Sequence, residues 1–325
     1  MIQISDTTTH PPRNLDEICE EHYRELEECI RGKIMNTPGE ALQSFRDFLS
    51  DRLEEILKGK PERLIELHQK YRALETILIN ENNEYVGALL TGIVKKIFNY
   101  ESFSKNKTSY NAYTLAKKLN FNTCPYCNRN YTVTVINDRN KKIVRPDFDH
   151  FFPKSRYPLL ALSFFNLIPC CPICNRTLKG DKKMGINTHI HPYLEGFGQV
   201  LRFNYLPGDA DSAVGMQNNI HIRFLGPDVP DDVDKLAKCR QNAALFQLEP
   251  IYTESHSAEV AEIVYKHHVS NGSYLRSLAE TFPKIGGRDE LYRLAFGNYY
   301  QEGDFDKRPL AKLTRDIFDQ LNFLW

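Results

Sequence analysis

The sequence predicts an α+β chain, mostly α, in which two helical regions flank a small central unit of short strands. Three observations predict it. Apolar residues recur at helical spacing through residues 14–104 and again from about 231 to the end. Between those regions lie β-forming runs broken by turn residues. The central stretch also carries two Cys-x-x-Cys pairs, Cys124-Pro125-Tyr126-Cys127 and Cys171-Pro172-Ile173-Cys174. The divisions expected are 1–104, an acidic helical interaction or scaffold region; 105–195, the motif-bearing module; and 196–325, a hairpin followed by C-terminal helices.

In chain order, residues 1–13 are polar around His10-Pro11-Pro12 and read as a loose leader. Leu15, Ile18, Tyr23, Leu26 and Ile30 form the stripe of a first helix. Thr37-Pro38-Gly39-Glu40 reads as a helix start, with Thr37 at the cap, and the helix then presents Leu42, Phe45, Leu49, Leu53 and Ile56. A third helix runs from Pro61 through Leu64, Leu67, Tyr71, Leu74 and Leu78, a fourth covers about 84–99, and another lies near 110–119. The β-formers of Tyr131–Ile136, the turn residues 137–140 and the run Lys141–Phe148 predict two strands, with Asp149-His150 at a strand end. Pro153 and Pro158 bracket a loop, and a short helix is expected from Cys174 towards Lys183. Residues 197–226 predict a hairpin, and helices follow, with a break at Gly286-Gly287 and Pro309 opening the last one.

Hydrophobic content of 41% and charged content of 26% are those of a globular chain. No apolar run approaches the roughly 18 residues that span a bilayer. The start, Met1–Asp6, has neither a basic nor an apolar signal region, so a cytoplasmic location is expected. Formal net charge is zero, but the charge is not spread evenly. Residues 105–185 hold 15 Lys and Arg against four Asp and no Glu, whereas the remainder holds 27 basic and 38 acidic side chains. A basic excess confined to the motif segment is the footprint of a phosphate-binding surface.

Two Cys-x-x-Cys turns supply four thiolates, which suits a tetrahedral structural zinc with no open position. Cys170 neighbours Cys171, but only Cys171 gives the spacing; Cys19, Cys29 and Cys239 stand alone. Neither pair is embedded in the βαβ pattern of redox pairs.

Inside the cysteine frame lie Asp149-His150, Asn166, Asn175 and Lys179. Phosphodiester hydrolysis needs a base, a divalent ion at the phosphate and a stabilised leaving oxygen. His150 suits the base, since its pKa lies near neutrality, and the Asn166 side-chain carbonyl is expected to orient it. Asp149 and Asn175 offer oxygen ligands for Mg²⁺ or Mn²⁺. Lys154, Arg156, Arg176 and Lys179 are expected to contact phosphates. His189 and His191 read either as additional contacts or as loop residues, and His267-His268 as part of a helix without a chemical role.

The order Asp-His, Asn, then Cys-x-x-Cys-Asn with Lys four residues on resembles the HNH, or ββα-metal, endonucleases, over roughly 120–185. The third motif position is often His and is Asn175 here, as in the target-strand-cutting domain of CRISPR effectors. The run Asp149-His150-Phe151-Phe152-Pro153-Lys154-Ser155-Arg156-Tyr157-Pro158, with Asn166-Leu167-Ile168-Pro169 and His191-Pro192-Tyr193, is similar to the HNH components of Septu-type and retron-linked anti-phage systems. That resemblance implies a nuclease acting on DNA beside an SMC- or ABC-like ATPase, with the acidic helices as docking surfaces and no membrane. Two other readings use the same residues: a non-catalytic zinc-ribbon module that binds nucleic acid or a partner, and a toxin that cleaves RNA.

Overall fold

A computed structural model describes residues 1–7, 13–39, 42–82, 85–105 and 109–323. Helix α1 (Leu15–Met35) starts where the Asn14 side chain accepts the Asp16 and Glu17 backbone N–H groups. It buries Leu15, Ile18, His22, Leu26, Ile30 and Ile34 along one stripe. Helices α2 (Gln43–Asp51), α3 (Leu53–Lys58), α4 (Pro61–Asn82), α5 (Tyr85–Ile97), α6 (Tyr100–Ser104) and α7 (Ala112–Leu119) complete the first region.

Three expectations for this region need correction. The chain start is not a loose leader: Met1, Ile2 and Ile4 are buried. The Ile2 and Ile4 N–H groups donate to Pro125 and Pro192 carbonyls at 3.0 and 2.8 Å; residues 8–12 lie outside the described residues. Thr37 does not cap a helix. Its hydroxyl donates back to Lys33 O, which ends α1, and Gly39 turns the chain at φ +104 before the next helix begins at Gln43. That helix breaks at Arg52, so its expected apolar stripe is shared between α2 and α3.

The strands form three two-stranded antiparallel sheets: β1 (Val135–Ile136) with β2 (Lys142–Val144), β3 (Asp147–His150) with β4 (Leu167–Cys170), and β5 (Arg202–Pro207) with β6 (Ile220–Leu225). The run 131–136 is strand only at its end. The run 141–148 is two strands rather than one, because Pro146 has no N–H to donate and the chain changes partner there. After β4, Ile173–Lys179 is one turn-rich π-helix closed by Gly180 at φ +51.

The remaining helices are α8 (Ala210–Ala213), α9 (Val233–Leu245), α10 (Leu248–Ser270), α11 (Tyr274–Thr281), α12 (Arg288–Phe296) and α13 (Ala311–Leu321). The last begins after Leu310 in a left-handed conformation, two residues later than Pro309. The architecture is therefore mostly helical with small antiparallel sheets.

Two packing relations position the centre. Helix α3 and α1 hold the loop between β3 and β4: Ser163 Oγ donates to Ile56 O, and His22 Nε2 bonds Leu162 O at 2.7 Å. Helix α13 clasps the first Cys turn, where Asn128 at φ +50 accepts Leu310 N–H on its carbonyl and Lys312 N–H on its side chain.

Candidate functional site

The Cys124, Cys127, Cys171 and Cys174 sulfurs lie within 4.8 Å of one another and all four residues are buried. Tetrahedral zinc with bonds of about 2.3 Å sets sulfurs about 3.8 Å apart, and Cys127 and Cys171 Sγ are 4.0 Å apart. The turns are built for thiolates. Arg129 N–H points at Cys127 Sγ (3.4 Å), and Asn130 Nδ2 (3.4 Å) and Cys174 N–H (3.5 Å) point at Cys171 Sγ. Hydrogen bonds from the other three thiols pull the Cys171 pKa down, while burial pushes Cys124 up. Such a cluster keeps several thiolates only with a cation among them, so this buried set could hold a metal such as zinc. Cys170 is outside it; burial raises its thiol pKa.

Next to the cluster, the end of β3, the start of the β3–β4 loop and the π-helix border a cleft of about 360 Å³. Its lining includes Asp147, Asp149, His150, Lys154, Asn175 and Arg176. Burial holds the His150 imidazole neutral, with its pKa lowered to about 3. Its Nε2 is 3.0 Å from Ala161 O. A carbonyl only accepts, so Nε2 carries the proton and Nδ1 keeps its lone pair. The Tyr100 ring stands edge-on to the imidazole at 4.4 Å.

Asn166 does not orient His150 directly, contrary to the expectation. Its Oδ1 accepts Phe152 N–H (2.7 Å), and its Nδ2 donates to Phe152 O (3.2 Å) and Leu160 O (2.9 Å). A buried amide at a loop neck satisfies the loop's own backbone first. Asn166 thus staples the loop that presents Ala161 O, and acts on His150 through it.

Asp149 and Lys179 also differ from expectation. Asp149 Oδ1 accepts Lys179 Nζ (2.8 Å) and Oδ2 accepts Tyr126 Oη (2.6 Å). Both carboxylate oxygens are engaged, with side-chain exposures of 3% for Asp149 and 1% for Lys179. Burial raises the Asp149 pKa, and Lys179 opposes that shift. Lys179 also donates to His150 O at 2.7 Å. It is a buried strut under the strand end, not a surface phosphate contact, and Asp149 is its partner.

The carboxylate next to Asn175 is Asp147, which the sequence reading missed. Asn175 Nδ2 donates to Asp147 Oδ2 at 3.2 Å, and Arg176 forks onto both oxygens at 2.7 and 2.8 Å. The available signal was the alternation Asp147-Phe148-Asp149, which puts both carboxylates on one strand face. Arg176 is 70% exposed and Asp147 17%.

Lys154 lies over the Tyr100 ring at 5.1 Å, where the cleft meets a second depression of about 420 Å³. Arg145 reaches the cleft from the end of β2 and donates to Ser104. Arg156 is exposed, and the cleft lining does not include it. His189 is half-buried and bonds Thr188; His191 is buried against Phe151.

No protein-family model matches the chain. No curated protein matches its sequence, and no solved structure matches its fold. No helix among the described residues is long and apolar enough to cross a membrane.

Proposed function

We propose that the chain is a metal-dependent endonuclease of the HNH, or ββα-metal, kind that hydrolyses DNA. The observation that carries this reading is His150: a neutral imidazole, fixed by Ala161 O with Nδ1 unprotonated, in a cleft that also contains Asp147 and Asn175. The order of strand, strand and helix around these residues agrees with the resemblance. So does the buried Cys₄ set, which in this reading holds a structural zinc that fixes the π-helix against the strands.

In this reading His150 Nδ1 takes the proton from the attacking water. Asp147 and Asn175 would hold Mg²⁺ or Mn²⁺, in place of the Asp149 and Asn175 pair expected from the sequence. Their donor chemistry fits, since Mg²⁺ is held through one or two carboxylates and keeps several waters. The ion, when bound, would polarise the scissile phosphate and offset charge on the leaving oxygen. Arg176 occupies the Asp147 oxygens from the solvent side and, being exposed, swings away at low cost to contact phosphate. Lys154 and Arg145 add positive charge at the rim. Lys179 holds the His150 carbonyl and so sets the height of the imidazole.

The narrower resemblance extends the proposal to anti-phage defence in the cytoplasm beside an SMC- or ABC-like ATPase, with the acidic N-terminal helices as the docking face.

Plasmid cleavage titrated with Mg²⁺ and Mn²⁺ tests the assignment of the ion. Asp147→Asn should raise the metal concentration for half-maximal cutting at least tenfold while zinc content stays the same. An unchanged titration would return the ion to Asp149. Cutting of structured RNA in preference to DNA would make the chain a ribonuclease.

A further inference from the structure

The hairpin Tyr131–Arg145 has a shape and composition that the catalytic reading leaves unused. Tyr131, Val133, Val135, Ile143 and Val144 are exposed along it. Its register pairs Val135 with Val144 and Ile136 with Lys142. β-Forming apolar side chains left exposed on a two-stranded ribbon need a covering surface. Charge tells what covers it: Arg139, Lys141, Lys142 and Arg145 stand on the hairpin with a single acid, Asp138.

The hairpin is also pre-shaped. At its tip Asn137 Oδ1 accepts the Arg139 and Lys141 N–H groups (3.1 and 2.8 Å), Asn137 N–H donates to Lys141 O (3.0 Å), and Asn140 takes φ +56. On the strand leaving the turn, Lys142 beside the tip and Arg145 at the root both place their cations against the Tyr113 ring of α7, at 5.7 and 5.6 Å. Arg145 lines the cleft, and only Pro146 separates it from Asp147.

We infer that this hairpin is a finger that enters the major groove of B-form DNA next to the cleft. The inference deepens the nuclease reading and rests on it for the choice of nucleic acid over an acidic protein. Two strands about 4.8 Å apart fit a groove about 12 Å wide, whereas the A-form major groove of RNA is too deep and narrow. From Arg145 to Asn140 the ribbon reaches about 16 Å at about 3.3 Å per residue, roughly five base pairs from the cut. Arg139 and Lys141 meet phosphates there, and Ile143, on the face of the ribbon opposite Lys142 and its Tyr113 contact, offers apolar contact to thymine methyls.

The test is equilibrium binding of the full chain, without added divalent ion, to a short DNA duplex and to the same sequence as duplex RNA across a salt series. Wild type should prefer DNA. The double variant R139A/K141A should bind DNA more weakly and flatten the plot of log K against log salt by about 2, the loss of two phosphate contacts. Zinc content and thermal midpoint should match wild type, since both side chains are exposed. An unchanged slope would overturn the inference and leave the ribbon to a protein partner. An equal loss on RNA would overturn the groove assignment, and so would a wild type that binds neither duplex. Parallel plasmid cleavage separates the two claims. A hairpin-dependent complex that is never cut fails the nuclease reading alone, and cutting with an unchanged slope fails the finger alone.

Discussion

Lys179 and Asp149 form an ion pair with almost no access to water, so each is the condition for the other's charge. Removing one partner of such a pair leaves an uncompensated buried charge and costs about 3–5 kcal/mol. Lys179→Met should therefore lower the unfolding free energy from urea titration by an amount of that size, and in the proposed nuclease cleavage should fall with it because His150 O loses its donor. A loss within about 1 kcal/mol, in the range of a surface pair, would contradict the placement. The pair also shows where residue-level reading stops. Asp149-His150 and the four cysteines were legible, because adjacency and spacing fix them on a strand end and on two tight turns. Which oxygen accepts which proton was not, because Tyr126 and Lys179 reach Asp149 across 23 and 30 residues of chain. Asp147 was passed over for the same reason: its neighbour Asn175 arrives only when the π-helix packs against β3.

At the scale of elements, the first cysteine turn anchors distant parts of the chain. Asn128 holds the start of α13, and Tyr252 Oη of α10 donates to Cys127 O. A metal that fixes this turn thereby fixes two C-terminal helices. Chelation should raise amide exchange in Leu310–Leu321 together with Cys124–Asn130, while α4 keeps its protection; mass-resolved hydrogen exchange reads this directly. Loss confined to the turn would show that α13 stands without it. The long helices were legible from their apolar stripes, and the β5–β6 hairpin from its alternation. The short elements were not. The Asn166 loop neck, the π-helix and the division at Pro146 follow from partners, not from local propensity. The break at Arg52 left no signal in an apolar stripe that continues through it.

Across the whole molecule, histidines other than His150 are also withdrawn from water, His22 and His191 buried and His68 half-buried. Burial lowers His22 to about 4, with Tyr110 Oη and Leu162 O on its ring nitrogens, and lowers His191 to about 3. Burial, with Arg72 adding to it, lowers His68 to about 4. Unfolded, each titrates near 6.5. Above that pH both states are neutral and stability is complete. As pH falls from 6.5 towards 4, the unfolded chain binds protons that the folded one refuses, so stability falls by up to about 1.4 kcal/mol per pH unit for each histidine. Urea midpoints at pH 7.5, 6 and 5 should decline steadily; a flat profile would contradict the burial of these rings. The division of charge across the molecule was legible from where charges fall along the sequence, a basic centre between acidic flanks. The way the N-terminal helices brace the β3–β4 loop was not, since nothing local marks Ile56 O and His22 as supports for residues 162 and 163.

The metal-dependent nuclease proposed here would work at His150. That assignment is tested most directly by plasmid cleavage in Mg²⁺ or Mn²⁺ by wild type and His150→Ala, with zinc quantified in both. Wild type should cut, the variant at least a hundredfold less, and zinc content should be the same in each. Equal cutting by the two proteins would contradict the assignment, and so would a zinc-loaded wild type that leaves the plasmid intact.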